Sequence, residues 1–140
     1  MECLVCARRR SDEWIADDEH WRVAHAFGTS LPGWLVLVPK RHVTAVADLT
    51  DAEAAGLGTW QVRLSRALHD ATGCAKTYVA QFAEADGFAH VHFHVVPRAA
   101  ALPAERTGPG VFAYLRDGVE VPARERDEIV RRLRRGLGAL

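Results

Sequence analysis

The 140-residue chain lacks the features that mark membrane, secreted and nucleic-acid-binding proteins. Basic and acidic residues number 18 each, so a net charge of zero gives no electrostatic basis for binding nucleic acid or a membrane. No apolar run approaches the roughly 18 residues of a membrane-spanning helix. The N-terminus also lacks the charged-then-apolar order of a signal peptide. These absences predict a cytoplasmic protein with neither nucleic-acid nor membrane partners.

Cysteine is scarce as well. The three cysteines are an odd number, and two of them lie close together, which argues against a secreted disulfide framework. The length fits a single domain, residues 1–140, that can bury a core of its own.

Histidine, in contrast, is concentrated at one place. Three histidines alternate with apolar residues in segment 90–96. Because successive side chains of a strand point to opposite faces, the spacing predicts a strand with His90, His92 and His94 on one face. The apolar residues between them would then face the core. Imidazole is the side chain suited to nucleophilic, acid–base and metal-binding roles at neutral pH, so this triplet is the leading candidate for chemistry.

The remaining pattern predicts an α+β domain. Four strands are predicted, at 20–27, 34–38, 76–83 and 90–97, with the last two as an antiparallel hairpin. A capping box of Thr50 and Glu53 begins a long helix that ends before Gly73. After an irregular segment at 103–110, a C-terminal helix is predicted over 121–135.

Cys3 and Cys6 form a Cys-x-x-Cys pair. The redox form of this motif normally lies where a strand meets a helix N-terminus, but no strand is predicted before Cys3. The zinc form needs two further ligands, for which the sequence offers His42 and one histidine of the strand. Two unpaired thiols remain the alternative, and Cys74 is interpreted as a small buried residue.

Two further groups of residues have a structural interpretation. The four arginines at 131, 132, 134 and 135 are interpreted as the solvated side of an amphipathic helix, in preference to a nucleic-acid patch. The tryptophans are interpreted as core or interface anchors rather than base-stacking platforms: Trp14, Trp21, Trp34 and Trp60.

The alternating histidines resemble the signature of the histidine-triad (HIT) superfamily of nucleotide hydrolases and transferases. Segment 32–43 is similar to the family's Pro-Gly-His-x-Leu-Val-x-x-Pro-Lys-x-His motif. The N-terminal Cys-x-x-Cys resembles that of zinc-bearing bacterial members, and segment 94–98 resembles the ending of the fragile-HIT type. The resemblance covers about 3–98 and leaves a C-terminal helical extension. It implies a five-stranded antiparallel sheet packed by a long helix, usually in a homodimer.

The resemblance also implies roles for the histidines. His92 matches the nucleophile that attacks an α-phosphorus and forms a nucleotidyl-histidine intermediate. His94 matches the histidine that hydrogen-bonds a phosphate oxygen. A structural zinc ion would have as its ligands Cys3, Cys6, His42 and His90.

Three positions depart from the family pattern. Trp34 stands where the family has histidine after Pro-Gly, and Ala26 stands where an acidic or amide residue binds the ribose hydroxyls. The loop before the triad lacks the usual glutamine followed by a hydroxyl residue. Its backbone amides at Gly87 and Phe88 are predicted to bind phosphate instead, with Gln81 as the remaining side-chain contact.

The preferred hypothesis is an enzyme, a nucleotide hydrolase or nucleotidyl transferase acting at an α-phosphate through His92. Dinucleoside polyphosphates, nucleoside phosphoramidates and adenylylated by-products are the substrate classes considered. A nucleotide-binding sensor with negligible turnover is the second hypothesis, favoured by the missing ribose and loop contacts. A zinc-stabilised interaction module is the third.

Overall fold

Five strands form one antiparallel sheet in this computed structural model, which describes residues 2–8 and 14–138. The strands are β1 (Trp14–Asp17), β2 (Trp21–His25), β3 (Leu35–Pro39), β4 (Lys76–Ala80) and β5 (Phe93–Arg98). Their order across the sheet is β1-β2-β3-β5-β4, so β1 and β4 are the edge strands. The helices are α1 (Leu4–Ala7), α2 (Asp51–Thr72) and α3 (Ala123–Gly138). Short 3₁₀ segments lie at Val46–Asp48, Ala104–Arg106 and Gly108–Leu115.

The long helix α2 begins and ends where the sequence predicts. Thr50 accepts a hydrogen bond from the Glu53 amide, and the Glu53 carboxylate accepts one from the Thr50 amide, which completes the capping box. Gly73 ends the helix in the left-handed region at φ 71°. The buried face of α2 carries Trp60, Leu64 and Leu68, which pack on one face of the sheet.

The two faces of the sheet have separate cores. On the helix face, Val91, Phe93 and Val95 pack with α2 and α3, which confirms the predicted core-facing side of the histidine segment. The opposite face carries His94 and a smaller apolar cluster around Trp34. The 3₁₀ segment Gly108–Leu115 covers part of this second face. No helix among the described residues is long and apolar enough to cross a membrane.

Several predicted boundaries are wrong. The histidine strand begins at Phe93 rather than His90, because its partner β3 ends at Pro39, which has no N–H for the ladder. The Val91 amide donates to the Val43 carbonyl instead. β4 ends at Ala80 rather than 83, before the chain turns at Ala83 with φ 56°.

The other differences lie at the two ends of the chain. Strand β1 and the short helix α1 were not predicted, and α3 spans 123–138 rather than 121–135. The segment predicted as irregular at 103–110 contains 3₁₀ turns. Arg131 and Arg132 both pair with Glu128 on the exposed side of α3, as expected for a solvated helix face. Cys74 is buried, as predicted.

An ion pair between exposed Arg41 and buried Glu53 at the start of α2 makes stability depend on pH. Arg41 donates two hydrogen bonds to the Glu53 carboxylate, at 2.8 and 3.3 Å, and these hold the pKa of Glu53 at about 2. A carboxyl whose pKa is lowered on folding stabilises the protein above its unfolded pKa of about 4.5. That contribution is lost as pH falls toward 2.

We therefore expect Glu53→Gln to lower the free energy of unfolding by about 1–3 kcal/mol at pH 7, since the ion pair with Arg41 is lost while the glutamine oxygen can still accept from the Thr50 amide. The difference from wild type should shrink between about pH 5 and pH 2. Urea unfolding of both proteins across this pH range is the measurement. A constant difference at every pH would show that Glu53 acts through packing alone.

Candidate active site and metal cluster

His92 and His94 lie together on the sheet face opposite α2. The register pairs His94 with Val36 of β3, and the rings of His92 and His94 are 4.9 Å apart between centroids, edge to face. His92 is half-buried, whereas His94 is 8% exposed. The predicted placement of three histidines on one strand face is therefore confirmed for His92 and His94 and wrong for His90, which precedes the strand.

The backbone fixes the tautomer of His92. Its Nδ1 lies 2.8 Å from the carbonyl oxygen of His90. Because a carbonyl only accepts hydrogen bonds, Nδ1 carries the proton and Nε2 keeps its lone pair. An unprotonated ring nitrogen is what nucleophilic attack requires.

The neighbouring indole fixes the tautomer of His94. Trp34 donates its Nε1–H to His94 Nδ1 at 3.0 Å, so in the neutral ring the His94 proton is on Nε2. Burial, with a smaller contribution from His92, lowers the pKa of His94 to about 4. His94 is therefore a neutral hydrogen-bond donor at pH 7. Trp34 stands where the family has histidine, and its residue type alone did not predict that it donates to His94.

His90 points away from this pair, into a cluster with the N-terminal cysteines. Its Nδ1 lies 3.7 Å from Cys3 Sγ and 3.5 Å from Cys6 Sγ, and Cys6 Sγ lies 3.3 Å from His42 Nδ1. All four ligand atoms lie within 4.8 Å of one another. Helix α1 brings both sulfurs to the cluster. Cys3 is the N-cap of this helix, and its Sγ accepts a hydrogen bond from the Cys6 amide at 3.3 Å.

The cluster fits a tetrahedral metal ion. Bonds of about 2.3 Å to sulfur and 2.0 Å to nitrogen require ligand atoms about 3.3–3.8 Å apart, close to the separations found here. The His90 Nε2–H donates to the Pro39 carbonyl at 2.8 Å, which leaves Nδ1 free to coordinate. Burial also lowers the pKa of His90, which favours the neutral form that a ligand needs. These four residues can hold a metal ion.

The metal cluster is joined to the loop that precedes the triad. The Leu4 amide of α1 donates to the Gly87 carbonyl at 2.9 Å. A β-carbon at Gly87 would lie 2.8 Å from the Leu4 side chain, so the two segments are in close contact. The Phe88 amide donates to the Ala85 carbonyl at 2.9 Å within the loop. Phe88 therefore has no free amide for a phosphate, and Gly87 remains the predicted amide contact.

The predicted side-chain contact Gln81 follows directly after β4. Its Oε1 is buried and has no hydrogen-bond partner among the described residues. A buried polar atom without a partner is uncommon in folded proteins. Because Oε1 only accepts hydrogen bonds, it would suit a ligand N–H or O–H, and the predicted phosphate contact would have to come from the Nε2–H2 group of Gln81.

The described polar side chains next to Ala26 in the sequence, His25 and Thr29, do not substitute for a ribose-binding acid. The acid in this region is Glu120, whose carboxylate accepts a hydrogen bond from the Gly28 amide at 2.7 Å. Ala26 is buried against Trp34. His25 uses both ring nitrogens, accepting from the Gly33 amide and donating to the Ala26 carbonyl. Thr29 is fully buried, and its hydroxyl accepts from the Leu31 amide.

The 3₁₀ segment Gly108–Leu115 adds an aromatic wall that the sequence did not predict. The Phe112 ring lies edge-on to three rings, at 5.1 Å from His94, 5.3 Å from Trp34 and 5.4 Å from Phe82. The segment is held by the hydrogen bond from the Gly108 amide to the Tyr78 hydroxyl at 2.9 Å. It helps to bury His94 and so contributes to its lowered pKa.

Residues 7–101 match the family model of the HIT domain. The chain belongs to the histidine-triad (HIT) family. The family predicted from the sequence is confirmed, and the two HIT motifs around His42 and His92 lie inside the matched region. Comparison with curated proteins gives no significant match.

Solved structures of HIT proteins share the fold. A zinc-bound histidine triad family protein from Mycobacterium smegmatis aligns with a TM-score of 0.70 at 20% identity, over 98% of this chain and 91% of that one. A histidine triad protein from Bradyrhizobium japonicum aligns at 0.70 and 27% identity, over 92% and 94%. A uridylyltransferase aligns at 0.70 and 20% identity, over 99% of this chain but 46% of that one. The predicted α+β fold is confirmed.

Proposed function

We propose that this HIT protein is a nucleotide hydrolase or nucleotidyl transferase in which His92 attacks the α-phosphorus of a small-molecule nucleotide. The observation that carries the proposal is the pair of fixed tautomers. His92 presents an unprotonated Nε2 because its Nδ1–H is bound to the His90 carbonyl. Beside it, His94 is held neutral with its proton on Nε2.

The proposed reaction has two steps. The His92 Nε2 lone pair forms a bond to phosphorus while the leaving group departs with the electrons of its own bond. Water or another acceptor then attacks the nucleotidyl-histidine, the P–N bond breaks to regenerate neutral His92, and the proton of the acceptor is released to solvent. In both steps the His94 N–H is positioned to hydrogen-bond a phosphate oxygen on which charge develops. The Gly87 amide and the Gln81 side chain are the further phosphate contacts that we propose.

We also propose that the metal of the cluster is zinc and that its role is structural. With two thiolates and two imidazoles, all four coordination positions of a tetrahedral ion are filled by protein. The ion would supply no open position for a substrate. It would hold α1 and His90 together, and through Leu4 and Gly87 it would hold the loop before the triad.

A screen with nucleotides tests the enzymatic proposal against the second candidate. We expect hydrolysis of at least one class among dinucleoside polyphosphates, nucleoside 5′-phosphoramidates and adenylylated amino acids, abolished by His92→Asn. The sensor hypothesis, supported by Ala26 in place of the ribose contact, predicts micromolar binding of nucleotides without turnover. Calorimetric binding and product formation, measured on the same preparations, separate the two functions.

Selectivity for the sugar is a specific expectation of this site. Ala26 cannot accept hydrogen bonds, and the structure leaves neither His25 nor Thr29 free to do so. A hydrogen bond between a ribose hydroxyl and a charged side chain contributes about 1.5–3 kcal/mol, and Ala26 cannot make one. We expect matched ribo- and deoxyribonucleotide substrates to have kcat/KM values within about one order of magnitude, or about 1.4 kcal/mol. A ribose preference of about a hundredfold or more would reveal a sugar contact elsewhere.

We propose that the protein is a homodimer, with a second copy docked on β4 and the outer face of α2. β4 is an edge strand whose outer backbone groups can pair with the same strand of another copy about a two-fold axis. Val79 of β4 and Val62 of α2 leave 44% and 49% of their surfaces exposed beside this edge. Such apolar exposure next to an unpaired strand favours association.

We expect light scattering to give twice the mass of the chain, and Val62→Asp to give a monomer. Val119→Asp is the matched control because Val119 is an equally exposed valine outside this groove. A monomeric wild-type protein at micromolar concentration would contradict the proposal.

A further inference from the structure

One row of paired residues crosses all five strands on the triad face. In order across the sheet, the row consists of Trp14, Ala24, Val36, His94 and Ala80. Directly paired residues point to the same face, so Trp14 of β1 stands on the face that carries His94. Three strand spacings of about 4.8 Å separate their backbones by about 14 Å. The residues between them, Ala24 and Val36, have short side chains.

Two guanidinium groups converge on Trp14 at that end of the face. Arg22 pairs with Val38, which lies two residues from Val36 on β3 and therefore on the same face. The guanidinium carbon of Arg22 lies 5.4 Å from the centre of the Trp14 ring, and that of Arg8 lies 5.5 Å from it. Arg8 also stacks on Phe27 at 3.9 Å. Two positive charges thus share one aromatic side chain.

Within the described part of the chain, half-buried Arg22 has no ion-pair partner and the indole N–H of Trp14 has no acceptor. Arg22 makes no ion pair with any described residue, although Asp17 lies directly opposite on β1 and pairs with Lys40 instead. Trp14 Nε1 is buried and has no hydrogen-bond partner there. A buried donor without an acceptor is destabilising, so native structures usually supply one from the protein, from water or from a ligand.

We propose that Arg22, Arg8 and the Trp14 N–H form an anion subsite for a phosphate group of the substrate other than the one that His92 attacks. Planar guanidinium groups bind phosphate oxygens through paired hydrogen bonds, and an indole N–H adds a neutral donor. The inference rests on the proposed function and narrows its substrate class. It favours substrates with several phosphate groups, such as dinucleoside polyphosphates, over phosphoramidates with uncharged leaving groups.

Calorimetric titration with inorganic tripolyphosphate tests the subsite without requiring turnover. We expect wild-type protein to bind tripolyphosphate and Arg22→Met to bind it at least tenfold more weakly. Arg22→Lys should recover part of the affinity, because it keeps the charge but loses the planar fork. Arg124→Met is the matched control, since Arg124 is an exposed arginine of α3, which packs on the other face of the sheet. This control should bind as wild type does.

Trp14→Phe provides an independent variant, because it keeps an aromatic ring and removes the N–H. We expect it to weaken tripolyphosphate binding at least threefold. Equal affinities of the Arg22→Met and Arg124→Met proteins, or no binding by wild type, would overturn the subsite. An equal loss of adenosine affinity in Arg22→Met would also overturn it, by showing that the cluster stacks on a base. Absence of turnover would count against the proposed function but would leave the tripolyphosphate result intact.

Discussion

His92→Ala is expected to lower kcat/KM for the best nucleotide substrate by at least about 10³-fold, because it removes the atom that would bond to phosphorus. The variant should fold normally, since His92 is half-buried and belongs to neither apolar core. Its own hydrogen bond, to the His90 carbonyl, lies at the rim of the sheet. Steady-state kinetics together with thermal unfolding give both quantities.

His20→Ala is the matched control, because His20 is a half-buried histidine in the turn between β1 and β2, outside the triad, the metal cluster and the proposed dimer surface. It should retain wild-type kcat/KM. If His92→Ala kept kcat/KM within about threefold of wild type, His92 would not be the nucleophile. A drop in activity accompanied by a large fall in Tm would instead point to a structural role.

Removal of the metal is expected to produce the largest change in stability. We expect one zinc ion per chain in protein purified without added metal, and a fall in Tm of about 10 °C or more on chelation. The reason is that α1 is a single turn with no buried residues of its own, so the metal cluster is its main attachment. Further attachments are the Leu4–Gly87 contact, which involves the loop before the triad, and the C-cap residue Arg8, which donates to the His25 carbonyl at 3.1 Å and stacks on Phe27. Elemental analysis and thermal unfolding are the measurements.

Variants in the cluster provide the control for this effect. Cys6→Ser should lower the zinc content and make Tm insensitive to the chelator. Cys74→Ala should keep both the zinc and the response, because Cys74 is a buried thiol outside the cluster. A zinc content near zero in the wild type would show that these residues form a hydrogen-bonded cluster without metal.

Local patterns in the sequence predicted the elements whose ends and buried faces depend on residues nearby in the chain. The Thr50–Glu53 capping box and Gly73 marked the ends of α2, and alternation of apolar residues marked the core side of β5. The same alternation wrongly extended the strand back to His90. Its start depends on where β3 ends, at Pro39, which is distant in sequence.

The candidate site was predictable in its residues but not in its electrostatics. The triad and the Cys-x-x-Cys pair carry family motifs, and the fold brings Cys3, Cys6, His42 and His90 together. In contrast, the donor to His94 is 60 residues away at Trp34, and the aromatic wall comes from Phe112. Neither carries a motif, because any residue with an N–H or a ring of suitable size could do the same.

The same limit applies to the far end of the triad face. Trp14 lies in a four-residue strand with an irregular register, too short for alternation to be recognised. Arg22 is one of many arginines in the chain, and only the cross-strand pairing places it on the triad face. Long-range pairing, not local propensity, determines which polar residues share a face.

The most direct test of the central claim is a search for the covalent intermediate. A substrate that the protein hydrolyses is mixed with wild-type protein, and the reaction is stopped with alkali within milliseconds. Alkali is used because phosphoramidate bonds to histidine are acid-labile. The protein is then analysed by intact-mass and peptide mass spectrometry. We expect an added nucleoside monophosphate on the peptide that contains His92, and none in His92→Asn. Active wild-type protein that carries no adduct under single-turnover conditions, or carries it on another residue, would contradict it.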